Sequence, residues 1–349
     1  MRVLYLTNVE VPYRVRFFNE LAKHCDLTVL YERQRASNRN SAWSGSETIK
    51  FRQQFLEAKP VGEQNAFSLS ILKKLSGYDV VIVGCYNSPV QILAILYMRA
   101  TGKKYYINAD GETFLTGKGL KQCLKRGLLR GATGYLAAGE ESAKTLSAAV
   151  GKPVTPYYFS SLDEGELRDN REKVCQRGKT VLVVGQYVPE KGLATALEAA
   201  KMDPSIQYKF VGMGSRTEQF VNDCGADQVG NVQIVPFLQK KELEQEYRQC
   251  ALFVLPSLKE CWGLVINEAA SFGTPIVSTW GSGSAVEFLT DGYAECLVQP
   301  GDAKAMHEQI VRVLNSDNTA YSSYLLEKSK KYSIEENVRA HINACGLAD

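Results

Sequence analysis

Four side chains in this sequence are placed to do chemistry on a phosphorylated, hydroxyl-rich molecule: Glu260, Glu268, Lys191 and Asp110. Glu260 and Glu268 bracket a loop and the start of a helical pattern, in KECWGLVINEAASFGTPIV. A helix start exposes unpaired N–H groups and a partial positive charge, so it is a ready site for phosphate. Carboxylates beside such a site accept hydrogen bonds from hydroxyls but repel phosphate. The combination suits a sugar nucleotide. Lys191 precedes Gly192 at the start of another helical stretch, where an ammonium group can neutralise a diphosphate. Asp110, in INADGE, follows an apolar run and can orient a hydroxyl or take its proton.

The elements that carry these residues are regular. Ala251–Leu255 reads as a buried strand, the stretch from Gly263 as a helix stopped by Gly273, and Pro275–Thr279 as the next strand. Strand, loop, helix, strand is the unit of an open parallel sheet. The pattern recurs through the chain. Strands are expected at Val3–Thr7, Leu27–Tyr31, Tyr78–Val83, Lys104–Ile107 and Tyr135–Ala138, with a helix over Arg14–His24. A charged stretch, 161–179, reads as a connection. A second series follows at Thr180–Val184, Gln207–Val211, Val232–Val235, Ala251–Leu255, Pro275–Thr279 and Cys296–Val298. The expectation is an α/β protein of two doubly wound domains facing across a cleft, 1–165 and 166–329. Residues 330–349 would return to the first, at the end of a last helix (Ser323–Ala344) broken near Tyr332 and Ser333. Ligands bind at the carboxyl ends of such strands.

Composition agrees with an enzyme that touches anions. The chain has 349 residues, too many for one core. Charge is uneven: through Gly165 there are 22 Lys/Arg against 14 Asp/Glu, and in the remainder 19 against 24. A basic first half invites a membrane surface or a phosphate-bearing acceptor, or is simply a solvated face. Nine irregularly spaced cysteines, none in a Cys-x-x-Cys pair, predict reduced thiols and no zinc site. MRVLYLTN runs straight into a strand, so no signal peptide is expected. The stretch 118–130 is a basic amphipathic helix, with Leu120, Leu124, Leu128 and Leu129 as its apolar side and Lys118, Lys121, Lys125, Arg126 and Arg130 around it. Such a helix either lies in a membrane interface or packs on a sheet. The polar segment 32–47 is long enough to be functional or disordered.

Three more motifs follow strands of the second half. Gly185 and Gln186 open VVGQYVPEKGL, Gly212 and Met213 lie in VGMGS, and Phe237 and Leu238 end VPFL. Singly each is also a plain turn or a core residue. In order, with Pro-Ser-x3-Glu-x-x-Gly-x4-Glu-Ala, they resemble the donor-binding half of retaining glycosyltransferases of family 4, which have the GT-B architecture. Glu-x7-Glu is that family's signature, and the resemblance spans Thr180–Gly301. The opening PYRVRFFNELAKHCDLTVLYE is similar to bacterial cell-surface polysaccharide transferases. The resemblance implies that Lys191 holds the donor diphosphate, Glu260 the transferred sugar, the amides of Gly263 and Leu264 the phosphate, and Glu268 the ribose. Gly185, Gln186, Gly212, Met213, Phe237 and Leu238 would complete the donor site. No metal or other cofactor is implied. The chain departs from the family at Gln186, where arginine is usual and Arg216 is a candidate substitute. It departs also at Trp262 for phenylalanine, at Leu238 for glycine, and in lacking a glycine pair at 8–12.

Asp110, with Glu112, Arg14, Arg39 and Trp43, forms the expected acceptor side. The implied activity is transfer of a hexose or N-acetylhexosamine from a nucleotide sugar, most simply a UDP-sugar, with retention. The acceptor would be a glycan or a polyprenyl-diphosphate-linked saccharide. The place would be the cytoplasm, at the inner face of the membrane through 118–130, and no nucleic acid would be bound. Two alternatives stand beside this one: a nucleotide-sugar epimerase, which would turn over without acceptor, and a non-catalytic sugar-nucleotide-binding or membrane-associated scaffold, against which the intact Lys191, Glu260 and Glu268 argue. A dehydrogenase does not fit, because no Gly-x-Gly-x-x-Gly follows the first strand of either half.

Overall fold

A computed structural model describes residues 1–33, 48–61, 65–84, 86–110, 119–172 and 178–347. Arg39, Trp43, Glu112 and Lys118 lie outside them. The chain divides into two compact units, Met1–Ser161 with Ile334–Asp349, and Leu162–Ser333.

The first unit is built on a seven-stranded sheet, all parallel, in the order β3-β2-β1-β6-β7-β8-β9. Its strands are β1 (Arg2–Val9), β2 (Asp26–Arg33), β3 (Arg52–Phe55), β6 (Val80–Val83), β7 (Tyr105–Ala109), β8 (Gly134–Ala138) and β9 (Thr155–Tyr157). A parallel sheet is covered on both faces, so its inner strands read as unbroken apolar runs. Residues 3–6 and 80–83 are such runs, and all are buried. The helices Pro12–Leu21 and Pro89–Thr101 each open on proline, whose missing N–H costs nothing in a first turn.

Three pieces of this unit differ from expectation. β3 is Arg-Gln-Gln-Phe at the sheet edge, half-exposed and too polar to read as a strand. An antiparallel hairpin, β4 (Lys59–Val61) with β5 (Asn65–Phe67), follows it. Glu32, at the end of β2, is buried and ties that hairpin to the sheet. It accepts from Ala66 N (3.1 Å), Ser88 Oγ (2.5 Å) and Gln91 Nε2 (2.7 Å). Burial raises its pKa, and the three donors oppose that rise. Finally, the leucines expected to form one apolar side of 118–130 separate. In the helix Leu120–Leu129, Leu129 is buried, while Leu120 and Leu124 are 77% and 66% exposed.

The second unit has a six-stranded parallel sheet in the order β12-β11-β10-β13-β14-β15. The strands are β10 (Thr180–Val184), β11 (Gln207–Val211), β12 (Val232–Val235), β13 (Leu252–Leu255), β14 (Ile276–Thr279) and β15 (Leu297–Val298). The stretch expected as a charged connection is partly helical, Glu164–Glu172. It buries Leu167 and Asn170, and Asn170 Nδ2 donates to Ser271 Oγ at 2.9 Å. The last expected helix is two, Thr319–Ser329 and Ile334–Cys345, separated around Tyr332 and Ser333. Tyr332 is buried and donates its hydroxyl to Glu287 at 2.9 Å. The helix Ile334–Cys345 belongs to the first unit. Among the described residues, no helix is long and apolar enough to cross a membrane, and no group of three or more His, Cys, Asp or Glu is placed to hold a metal ion.

Candidate functional site

Strand order decides which loops meet in the second unit. β10 lies between β11 and β13, so the loops leaving their carboxyl ends are neighbours. Backbone hydrogen bonds then join them in a row. Gly212 N donates to Val235 O (3.2 Å) and Gly214 N to Pro236 O (2.7 Å), joining the loops after β11 and β12. Gly185 N donates to Val211 O at 2.9 Å, joining the loops after β10 and β11. On the other side Leu258 N and Lys259 N both donate to Glu190 O, at 2.8 and 3.1 Å. Further along, Glu260 N donates to Gly281 O (2.8 Å) and Gly283 N to Glu260 O (3.2 Å).

Glycine is required at the closest approaches. Gly192 has φ +62°, and a Cβ there would lie 2.2 Å from Pro256 O. A Cβ on Gly283 would lie 2.3 Å from Cys261 O. The loop carrying Lys191 is therefore pressed against the loop carrying Glu260. Their side chains form an ion pair, 28% and 18% exposed respectively.

The helix start beyond Glu260 is held from behind. Gly263, at φ +100°, precedes the helix Leu264–Ser271. Ser284 Oγ donates to Trp262 O (2.6 Å) and Gly263 O (2.9 Å), and Ser282 Oγ to Trp262 O (3.2 Å). Trp262 and Asn267 are both buried, and the indole Nε1 donates to Asn267 Oδ1 at 3.0 Å. A tryptophan here thus comes with an acceptor for its N–H. Glu268 receives the Tyr247 hydroxyl at 3.1 Å. Burial and this carboxylate push the Tyr247 pKa well above its usual value, so the hydroxyl stays a donor.

All the residues expected at the donor side sit on these loops or on the helix they lead into. The Met213 side chain is buried. Gln186, Phe237 and Leu238 are half-buried. Arg216 Nη1 reaches Tyr187 O at 3.2 Å, one residue from Gln186. Tyr247, Ser282 and Ser284 were not expected. The alternating small residues of GSGS after a strand are a readable trace of the last two, whereas Tyr247 leaves none.

In the first unit, Asp110 follows β7 and pairs with Arg14, which is buried on the helix Pro12–Leu21. Arg14 Nη1 also reaches Thr7 Oγ1 at 3.4 Å. The other carboxylate oxygen of Asp110 accepts from Tyr157 (2.5 Å) and Asn108 Nδ2 (3.1 Å). Asn108 in turn lies 2.8 Å from His341 Nε2, and His341 Nδ1 lies 2.8 Å from Asn337 O. Arg14 and Asp110 are thus together, inside a network whose members Tyr157 and His341 come from β9 and the terminal helix. Arg14, Asn108, Asp110, Tyr157, Asn337 and His341 line a small cavity of about 10 Å³.

The fold and the second unit have counterparts. Residues 167–335 match the family model for glycosyl transferases group 1. That segment is just under half of the chain. A 2-deoxystreptamine N-acetyl-D-glucosaminyltransferase of Niallia circulans is 32% identical over 149 residues, 41% of this chain and 38% of that protein. A capsular polysaccharide biosynthesis glycosyltransferase of Staphylococcus aureus is 26% identical over 161 residues, 45% of this chain and 42% of that protein. The matched segments span less than half of each relative. Among solved structures, Anabaena HepE in complex with UDP aligns with a TM-score of 0.69 at 15% identity, covering 98% of this chain and 100% of that one. The fold is therefore GT-B, two Rossmann-like α/β domains.

Burial pushes the His341 pKa down to about 4 from 6.5. In the folded state the ring is neutral until pH falls to about 4, whereas the unfolded chain takes up the proton near 6.5. Stability conferred by the neutral ring is present above the unfolded value and lost as pH falls through this window. Wild-type protein should lose roughly 1 kcal/mol per pH unit there from this group. His341→Gln should show a shallower fall in melting temperature between the two values. Parallel curves would exclude this role.

Proposed function

We propose that this chain is a retaining glycosyltransferase that moves a hexose or N-acetylhexosamine from a nucleotide sugar, in the first instance a UDP-sugar, to a glycan or lipid-linked saccharide. One observation carries the reading: Lys191 and Glu260, from loops after adjacent strands, meet beside a helix start braced by Ser282 and Ser284. That arrangement offers a cation for a diphosphate, amides for its second phosphate, and a carboxylate for sugar hydroxyls. Glu268, oriented by Tyr247, is the ribose ligand. Gly185, Gln186, Gly212, Met213, Phe237 and Leu238 line the nucleotide, with Arg216 supplying charge beside Gln186.

In this reaction the bond from the anomeric carbon to the diphosphate breaks as the acceptor oxygen bonds to the same face. The acceptor proton passes to the departing phosphate. Lys191 and the amides of Gly263 and Leu264 stabilise the charge that develops on the leaving group, which is where fixed donors contribute most. The two glutamates bind and do not serve as acid and nucleophile. Asp110 and Arg14 are the acceptor-side groups, and no metal or other cofactor is part of the scheme. The sequence likeness to a capsular polysaccharide transferase supports an acceptor in polysaccharide synthesis, and the fold shared with a UDP complex supports a UDP-sugar donor.

The test is a screen of UDP-, GDP- and dTDP-sugars by thermal shift and turnover, with wild type and Glu260→Ala. Glu260→Ala should lower transfer by roughly 10²-fold or more while keeping the fold. Unchanged transfer would remove Glu260 from the reaction, and turnover to a new nucleotide sugar without acceptor would favour an epimerase.

A cytoplasmic protein with such an acceptor works at a membrane, and the helix Leu120–Leu129 is the proposed contact. Leu120 and Leu124 face outward, next to Lys125 and Arg126. Each leucine gains roughly 1.5–3 kcal/mol on full burial, and each basic residue roughly 1 kcal/mol near anionic lipid. Anionic liposomes should sediment the wild type at low salt and not a Leu120→Gln/Leu124→Gln variant. Equal sedimentation of the two would exclude this helix as the anchor.

A further inference from the structure

We propose that the Lys191–Glu260 pair makes the site discriminate an intact nucleotide sugar from the bare nucleoside diphosphate. This rests on the donor site proposed above and adds a selectivity that its ligand assignments do not contain. The pair is held together by backbone. Leu258 N and Lys259 N both bond Glu190 O, and Gly192 lies so close to Pro256 that a Cβ there would be 2.2 Å from Pro256 O. The two loops cannot part without breaking those bonds, so the ion pair opens only by side-chain rotation.

The two side chains are 28% and 18% exposed, too buried for water to replace a lost partner fully. A diphosphate arriving alone draws Lys191 away and leaves Glu260 with an unmet charge. An intact donor brings sugar hydroxyls that donate to Glu260 in place of the ammonium. Releasing the lysine is thus compensated for the substrate and uncompensated for the product. Once the sugar has left, Glu260 recaptures Lys191 and weakens the hold on the diphosphate.

The experiment is calorimetric binding of UDP, at low ionic strength, to wild type, Glu260→Gln, Lys191→Met and the double variant. Glu260→Gln should bind UDP roughly two- to fivefold more tightly, the range open to a partly exposed pair. In the Lys191→Met background the same change should give no gain. A gain that persists without Lys191 would mean simple removal of a negative charge and would overturn the proposal, as would no gain at all. Ligand-free melting of the four proteins is the second measurement. Additive shifts would show that the pair is not coupled and would overturn the proposal whatever the UDP data. A wild type that binds none of UDP, GDP and dTDP would overturn the donor site itself. A wild type that binds UDP without the Lys191-dependent gain would remove the discrimination alone.

Discussion

Two amides on one carbonyl, Leu258 N and Lys259 N on Glu190 O, fix the geometry on which the rest of the second unit's site depends. They join the loop after β10 to the loop after β13. Gly192 stands where any side chain would strike Pro256 O, so the two loops are in close contact there. Lys191 is carried to Glu260, Glu260 N is fixed on Gly281 O, and the helix start at Gly263 is set against Ser284. A polar site built this way is preorganised by backbone rather than by long side chains, which lowers the entropy lost when a ligand binds.

The same logic runs through the first unit with different materials. Asp110 is fixed by Arg14, Tyr157 and Asn108, and through Asn108 it is linked to His341 on the terminal helix. A carboxylate with this many partners is a structural anchor as well as a candidate ligand. Glu32 shows the purely structural case, a buried carboxylate with three donors and no cation among them. Asp110 differs from Glu32 in being paired with a cation and in remaining partly exposed, whereas Glu32 is buried.

Much of this was legible in the order of residues, for a physical reason. A parallel sheet buries both faces, so β1, β6, β10 and β13 announce themselves as apolar runs, and the loops after them are where ligands bind. Glycines forced by close approach, as at Gly192 and Gly263, also leave a mark. What escaped reading was set by tertiary contacts alone. β3 is polar because it sits at an edge, and nothing local in Arg-Gln-Gln-Phe distinguishes it from a loop. Tyr247 meets Glu268 from a helix 21 positions upstream, and His341 meets Asn108 across 233 positions. Of the leucines of 120–129, Leu129 lies half a turn round the helix from Leu120, and it is buried while Leu120 and Leu124 remain outside.

In the proposed reading, the loops after β10 to β14 form one clamp for a nucleotide sugar. A crystal structure of the protein with a bound UDP-sugar tests it most directly. The expected complex has sugar hydroxyls on Glu260, the ribose on Glu268, and the diphosphate between Lys191 and the amides of Gly263 and Leu264. A nucleotide sugar bound with its ribose away from Glu268, or its diphosphate away from Lys191, would contradict it.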